Sequence, residues 1–185
     1  MLDLVATRTP PTIALSPMAS LPPPACRLLL RGDAAVMATA GEVLSLSISA
    51  EACRAATAAG RAALWLGPDE QLILLPEAEG PGLPDALDLA LAETRHSIVD
   101  ISHRQFAIEA AGVQAEALLN TACPLDLDPS AFPVGMCTRT LLGKAEIVLW
   151  RTAPLTFRLE VWRSFGAYVT GLLAQASREF DGKAS

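Results

Sequence analysis

Twice along this chain a short apolar run is broken by a glycine and followed by a helix-forming stretch. Each time, two more apolar runs then flank a proline-containing turn, and a second helix closes the pattern. In the first pass, residues 27–31 (Arg-Leu-Leu-Leu-Arg) read as a buried strand, Gly32 ends it, and Asp33 is placed to cap a helix through about Thr39. Runs at 62–66 and 71–75 then flank Gly67-Pro68-Asp69-Glu70, a turn sequence, and a helix runs from Pro84 to about His96. In the second pass, 105–110 alternates Phe106, Ile108 and Ala110 with polar neighbours, as a half-buried strand does. Gly112 breaks it, a helix spans Val113 to about Thr121, and runs at 145–151 and 155–161 flank Thr152-Ala153-Pro154. The closing helix extends from Ser164, its expected N-cap, to about Phe180.

This order implies an α+β fold of two similar strand–helix–hairpin–helix lobes, at about 25–97 and 98–180. Each is mainly antiparallel sheet with helices packed on one face. Residues 1–24 carry Pro10, Pro11, Pro17, Pro22, Pro23 and Pro24; without donors for a ladder they read as an extended arm rather than an element, and 181–185 as a tail. In the last helix Phe165, Tyr168, Val169, Leu172, Leu173, Ala176 and Phe180 recur at steps of three and four. In the strand before it Leu155, Phe157, Leu159 and Val161 share one face. Thr156, Arg158, Glu160 and Trp162 take the other.

Hydrophobic residues make up 51% of the chain and charged ones only 18%, against about 25% in ordinary soluble domains. Partner chains covering part of the surface would account for this, since obligate interfaces are apolar; plain alanine richness is the competing account. The net charge is −6 with no cluster of Lys or Arg, which argues against nucleic acid as a partner. No run reaches the roughly 18–20 apolar residues that a membrane span needs, and the start lacks the basic and apolar regions of a secretory signal. The expected location is cytoplasmic. Cysteines at 26, 53, 123 and 137 show no Cys-x-x-Cys spacing, and the only histidines are His96 and His103. Reduced thiols and no metal site are expected.

Candidates for chemistry are few. Asp100, Ser102 and His103 contain the residue types of a hydrolytic triad, but neighbours on a strand point to opposite faces, so Ser102 and His103 do not meet. A structural hydrogen-bond cluster at a strand end is the expected role, with Asp100 or Ser102 satisfying backbone donors. Cys123 lies at the C-terminal end of a helix, the wrong end to stabilise a thiolate, and Cys137 lies in a strand. Asp126 and Asp128 alternate with Leu125 and Leu127 before Pro129, as in a solvated turn with apolar anchors. Gly112, Gly135 and Gly143 form no phosphate-binding loop. Trp65 and Trp150 fit core or interface equally well, whereas Trp162 on a polar face is the better interface residue. The candidate interface set is therefore Asp100, Ser102, His103, Arg104 and Trp162.

Four segments in order carry a family resemblance. They are Val-Asp-Ile-Ser-His-Arg-Gln at 99–105, Cys-Pro-Leu-Asp-Leu at 123–127, Phe-Pro-Val-Gly-Met-Cys-Thr-Arg-Thr-Leu-Leu-Gly-Lys-Ala at 132–145, and Arg-Ser-Phe-x-x-Tyr-Val at 163–169. Together, over about 25–180, they resemble the gamma subunit of heterotetrameric sarcosine oxidase, a family related to the folate-binding domain of aminomethyltransferases. The resemblance implies a non-catalytic subunit with alpha, beta and delta subunits as partners. It implies FAD, covalently attached FMN, NAD and tetrahydrofolate in those partners, and no catalytic, cofactor-binding or metal residue in this chain. The implied reaction of the complex converts sarcosine, oxygen and tetrahydrofolate to glycine, methylenetetrahydrofolate and hydrogen peroxide. No residue here matches the acidic pterin-binding position of folate-binding relatives. A stand-alone folate-binding module or one-carbon transferase is the alternative reading.

Overall fold

The computed structural model describes Ser16 and residues 18–180, so most of the proline-rich arm and the tail lie outside the described residues. The chain divides into two compact units. One is residues 24–103; the other joins residues 104–180 to the described part of 1–23.

In the first unit β2 (Ala25–Arg31), α1 (Ala34–Leu44), β3 (Ala55–Ala58), β4 (Arg61–Gly67), β5 (Glu70–Pro76), α2 (Leu83–Ala90) and β6 (Ser97–Asp100) follow one another. The second contains β1 (Ala19–Ser20), β7 (Gln105–Ala111), α3 (Ala115–Asn120), β8 (Cys137–Leu142), β9 (Ala145–Ala153), β10 (Thr156–Trp162) and α4 (Gly166–Ser177). Each unit is one five-stranded sheet with every described pairing antiparallel, in the orders β3-β4-β5-β2-β6 and β8-β9-β10-β7-β1. The α+β class and the repeated plan stand.

The two sheet orders superimpose strand for strand, with one exchange. β1 leads into β2 along the chain but pairs with β7, at Ala19–Ala110 and Ser20–Glu109. β6 leads into β7 but pairs with β2, from Leu28–Asp100 to Arg31–Ser97. Each unit's edge strand beside its first long strand is thus supplied by the segment that introduces the other unit. Two expectations change. Residues 98–103 belong to the first unit rather than the second, because backbone pairing with β2 and not proximity in sequence assigns them. The arm contains an element, since Ala19 and Ser20 keep the ladder groups that the flanking prolines lack.

Two separate cores form. In the first unit Leu28, Leu30, Val36, Ala40, Leu44, Ile73, Leu75, Leu87 and Leu91 are buried together. In the second, Phe106, Ile108, Leu118, Leu119, Phe132, Ile147, Leu149, Phe157, Leu159, Val161, Val169 and Leu173 do the same. These inward positions are the alternating residues of the strands and the three- and four-spaced residues of the helices.

Several element ends move. Asp33 caps α1 as expected, its Oδ1 accepting from Ala35 N at 3.0 Å and Val36 N at 3.1 Å, but the helix continues to Leu44. Ser45, at φ 53°, closes it. α2 stops at Ala90, well before His96, and in the turn that follows the Thr94 hydroxyl donates to the Leu91 carbonyl at 2.7 Å. Ser164 is not an N-cap: β10 runs to Trp162, a 3₁₀ turn occupies Arg163–Phe165, and α4 begins at Gly166 with no side-chain cap. The inward face of α4 is Gly166, Val169, Thr170, Leu173 and Ser177, while Phe165 and Tyr168 are left outside. Leu155 lies in the β9–β10 turn and is exposed. Glu160, read as solvent-facing, is 1% exposed and receives Arg158 Nε at 2.8 Å.

Candidate subunit interface

The five candidate interface residues divide between the units. Asp100, Ser102 and His103 close the first; Arg104 and Trp162 belong to the second.

Asp100 and Ser102 are engaged within their own unit. Asp100 Oδ1 accepts from Ser102 N at 2.8 Å, forming a tight turn at the end of β6. The Ser102 hydroxyl accepts from Arg27 N at 2.8 Å and donates to Cys26 Sγ at 3.5 Å, and Ile101 N donates to Arg27 O at 2.9 Å. With Ser102 buried, this is the backbone-satisfying cluster that the spacing suggests, pinning residues 100–102 to β2. His103 follows on the exposed side.

Arg104 and Trp162 are brought together by register. β7 and β10 pair with Trp162 opposite Gln105, and Arg163 N donates to the Arg104 carbonyl at 2.9 Å. The Arg104 guanidinium carbon lies 4.6 Å from the centroid of the Trp162 ring, a cation–π stack. Arg104 Nε is shielded and has no acceptor among the described residues. Beyond Trp162 the 3₁₀ turn and the first turn of α4 carry Phe165 and Tyr168 at three-residue steps, which places them on one side. Trp162, Phe165 and Tyr168 are 36%, 38% and 39% exposed, so they form a row of outward aromatic rings. The Tyr168 hydroxyl accepts from Lys144 N at 3.0 Å. Phe165, Tyr168 and Lys144 are absent from the sequence-derived set; helical spacing puts the two rings on one apolar stripe with Val169 and Leu173.

The 123–136 segment, the most distinctive stretch of sequence, is organised around a buried arginine that sequence reading passed over. Arg151 is 1% exposed. Its Nη1 donates to the carbonyls of Leu127 and Phe132, each at 2.9 Å; its Nη2 reaches Pro154 O at 2.7 Å and Glu116 Oε2 at 3.3 Å. The turn outside it is tied by Asp126 and Asp128, which accept from Asp128 N at 3.0 Å and Ser130 N at 2.8 Å respectively. The Ser130 hydroxyl, then its amide, hold the Asp128 carboxyl below its ordinary range, with Arg151 adding a smaller pull. All four cysteines are free thiols, Cys26, Cys123 and Cys137 being buried. Among the described residues no group of three His, Cys, Asp or Glu side chains is placed to hold a metal ion. No helix there is long and apolar enough to cross a membrane.

The fold is shared with glycine cleavage system aminomethyltransferase T from Bartonella henselae. The TM-score is 0.62 at 13% identity, over 83% of this chain and 44% of that one. The regulatory subunit of aspartate kinase from Thermus thermophilus also shares it, at TM-score 0.54 and 11% identity over 88% of this chain and 98% of that one. These define a class of paired α+β lobes.

Within that class, residues 31–179 match the sarcosine oxidase, gamma subunit family, and the chain belongs to it. It is 34% identical over 149 residues to sarcosine oxidase subunit gamma of Corynebacterium sp. strain U-96, spanning 80% of this chain and 70% of that protein. The Arthrobacter sp. subunit gamma is also 34% identical, over 80% of this chain and 71% of that one. A chain of heterotetrameric sarcosine oxidase from Corynebacterium sp. U-96, solved in complex with pyrrole 2-carboxylate, superimposes with TM-score 0.82. It is 29% identical, over 89% of this chain and 85% of that chain.

Proposed function

We propose that this chain acts as the non-catalytic gamma subunit of a heterotetrameric, flavin-dependent sarcosine oxidase in the cytoplasm, stabilising the assembly. Alpha, beta and delta subunits are its partners. FAD, FMN, NAD and tetrahydrofolate are held by those partners, and the complex converts sarcosine, oxygen and tetrahydrofolate to glycine, methylenetetrahydrofolate and hydrogen peroxide.

The observation that carries the reading is how polar groups in and against the family-like segments are used. Ser102 fastens β6 to β2, Arg151 gathers the carbonyls of the 127–132 segment, and the Tyr168 hydroxyl is bonded to the backbone of Lys144. Groups committed to shape in this way support a scaffolding role within a larger enzyme. The likeness to aminomethyltransferase T supports the alternative, a stand-alone folate-binding module.

Affinity capture of the tagged chain from its native cell, with mass spectrometry and a visible spectrum, tests both. A yellow complex with two larger flavoprotein chains and a small fourth chain is expected. A colourless, monodisperse chain whose tryptophan fluorescence is saturably quenched by tetrahydrofolate would overturn the subunit reading.

A further inference from the structure

We infer that the aromatic row Trp162–Phe165–Tyr168, bracketed by Arg104 and Lys144, is the docking surface for a partner subunit that presents carboxylates around an apolar centre. This deepens the proposed function and rests on it.

Three observations meet here. First, three large rings at the end of β10, in the 3₁₀ turn and in the first turn of α4 are exposed on consecutive three-residue steps, while Gly166, Val169, Thr170, Leu173 and Ser177 fill the inward face of α4. Tryptophan, tyrosine and arginine are also the residue types that dominate interface energetics.

Second, among the described residues the two flanking cations have no carboxylate partner. Arginines elsewhere among the described residues do have one, as Arg31 with Glu70, Arg54 with Glu51, Arg61 with Glu79, Arg151 with Glu116 and Arg158 with Glu160. Arg104 and Lys144 have none among the described residues, in a chain whose net charge is −6. Charge complementarity then selects an acidic partner surface.

Third, the Arg104 guanidinium carbon lies over the Trp162 ring, 4.6 Å from its centroid. The contact holds the guanidinium beside the ring, where a forked donor can take a carboxylate in a way that lysine does not offer. Two uncompensated cations are too few for nucleic acid, whose affinity scales with the number of phosphates neutralised. A second copy of this acidic chain would bring more carboxylates, and self-association is therefore an outcome to be measured.

The test co-expresses the tagged chain with its flavoprotein partners and reads the flavin absorbance retained per tagged chain as salt is raised. Arg104→Glu with Lys144→Glu should reduce retention at least tenfold, and Trp162→Ala should reduce it at low and high salt alike. Arg178→Glu, an exposed charge past the far end of α4, should leave it unchanged. If the double reversal melts non-cooperatively, Arg104→Gln with Lys144→Gln makes the same comparison and should still lower retention several-fold. Variants that melt like wild type yet retain full flavin at every salt concentration overturn the inference while leaving the subunit reading intact. Wild-type chain that captures no flavoprotein overturns both. A dimer of the isolated chain by light scattering that Trp162→Ala dissolves assigns the surface to self-association and overturns the partner assignment.

Discussion

Arg151 Nη1 donates to the Leu127 carbonyl at 2.9 Å, linking residues 24 apart in sequence and turning the 123–136 loop into a fixed cap over the second core. The same nitrogen holds Phe132 O, and the guanidinium carbon lies 4.8 Å from the centroid of the Phe157 ring. Removing it strands the two buried carbonyls of Leu127 and Phe132 at once. Arg151→Ala should therefore lower unfolding stability by about 3–5 kcal/mol, as measured by urea titration. Arg151→Lys should recover only part of this, since an ammonium does not span the same acceptors. Limited proteolysis of the alanine variant should cut within residues 124–135; resistance equal to wild type would mean that the loop holds itself.

Gly143 has φ +61°, and a Cβ there would meet the Tyr168 hydroxyl, with Leu172 Cδ2 at 3.1 Å. Gly143→Ala combines a left-handed backbone, costing about 1–2 kcal/mol, with a steric conflict against a ring held by Lys144 N. The melting temperature should fall by roughly 4 °C or more. Tyr168→Phe in the same background should restore part of the loss, a coupling that a double-mutant cycle reads directly.

Asp33 accepts two amide bonds at the start of α1. Asp33→Ala should cost about 1 kcal/mol by chemical denaturation, while Asp33→Ser should be nearly neutral. An alanine variant as stable as wild type would show that tertiary packing alone holds the helix start.

His96 contacts Asp88 Oδ1 through Nε2 at 2.8 Å and Thr94 O through Nδ1 at 3.1 Å, so both ring nitrogens serve as donors when the ring is charged. The Asp88 bond first, then the Thr94 carbonyl, raises its pKa above the ordinary 6.5. A raised folded-state value means that the stabilisation is fully present below about pH 6.5 and is lost as pH climbs through the folded pKa. The melting-temperature gap between wild type and His96→Gln should be widest near pH 6 and narrow by about pH 8.5. A gap that widens with pH would contradict this.

How much was legible from sequence differs by residue. Strand alternation puts Trp162 on the face opposite Phe157, Leu159 and Val161 because that rule is geometric, but exposure is not local: Glu160 on the same face is 1% exposed. Asp33 was identified as a cap because the capping bond is local. Periodicity groups Phe165 and Tyr168 with Val169 and Leu173 because it counts large apolar residues. The buried face of α4 keeps Val169 and Leu173 but completes itself with Gly166, Thr170 and Ser177, small residues that permit close packing, with the Thr170 hydroxyl satisfied by Gly166 O at 2.9 Å. The outward row, and with it the proposed docking surface, was hidden for that reason. Arg151 was hidden differently: its acceptors are mainly main-chain carbonyls, which look alike in every sequence.

Local chemistry alone set the two-fold repeat, the turns, the strand faces and the family-like segments, because propensity, alternation and capping act over a few residues. Tertiary structure decided which unit receives β1 and β6, which arginine gathers the 127–132 carbonyls, and which aromatic rings face outward. Each of those depends on contacts between residues far apart in sequence. Pairing partners, buried acceptors and the volume available inside a core exist only once the sheets have formed.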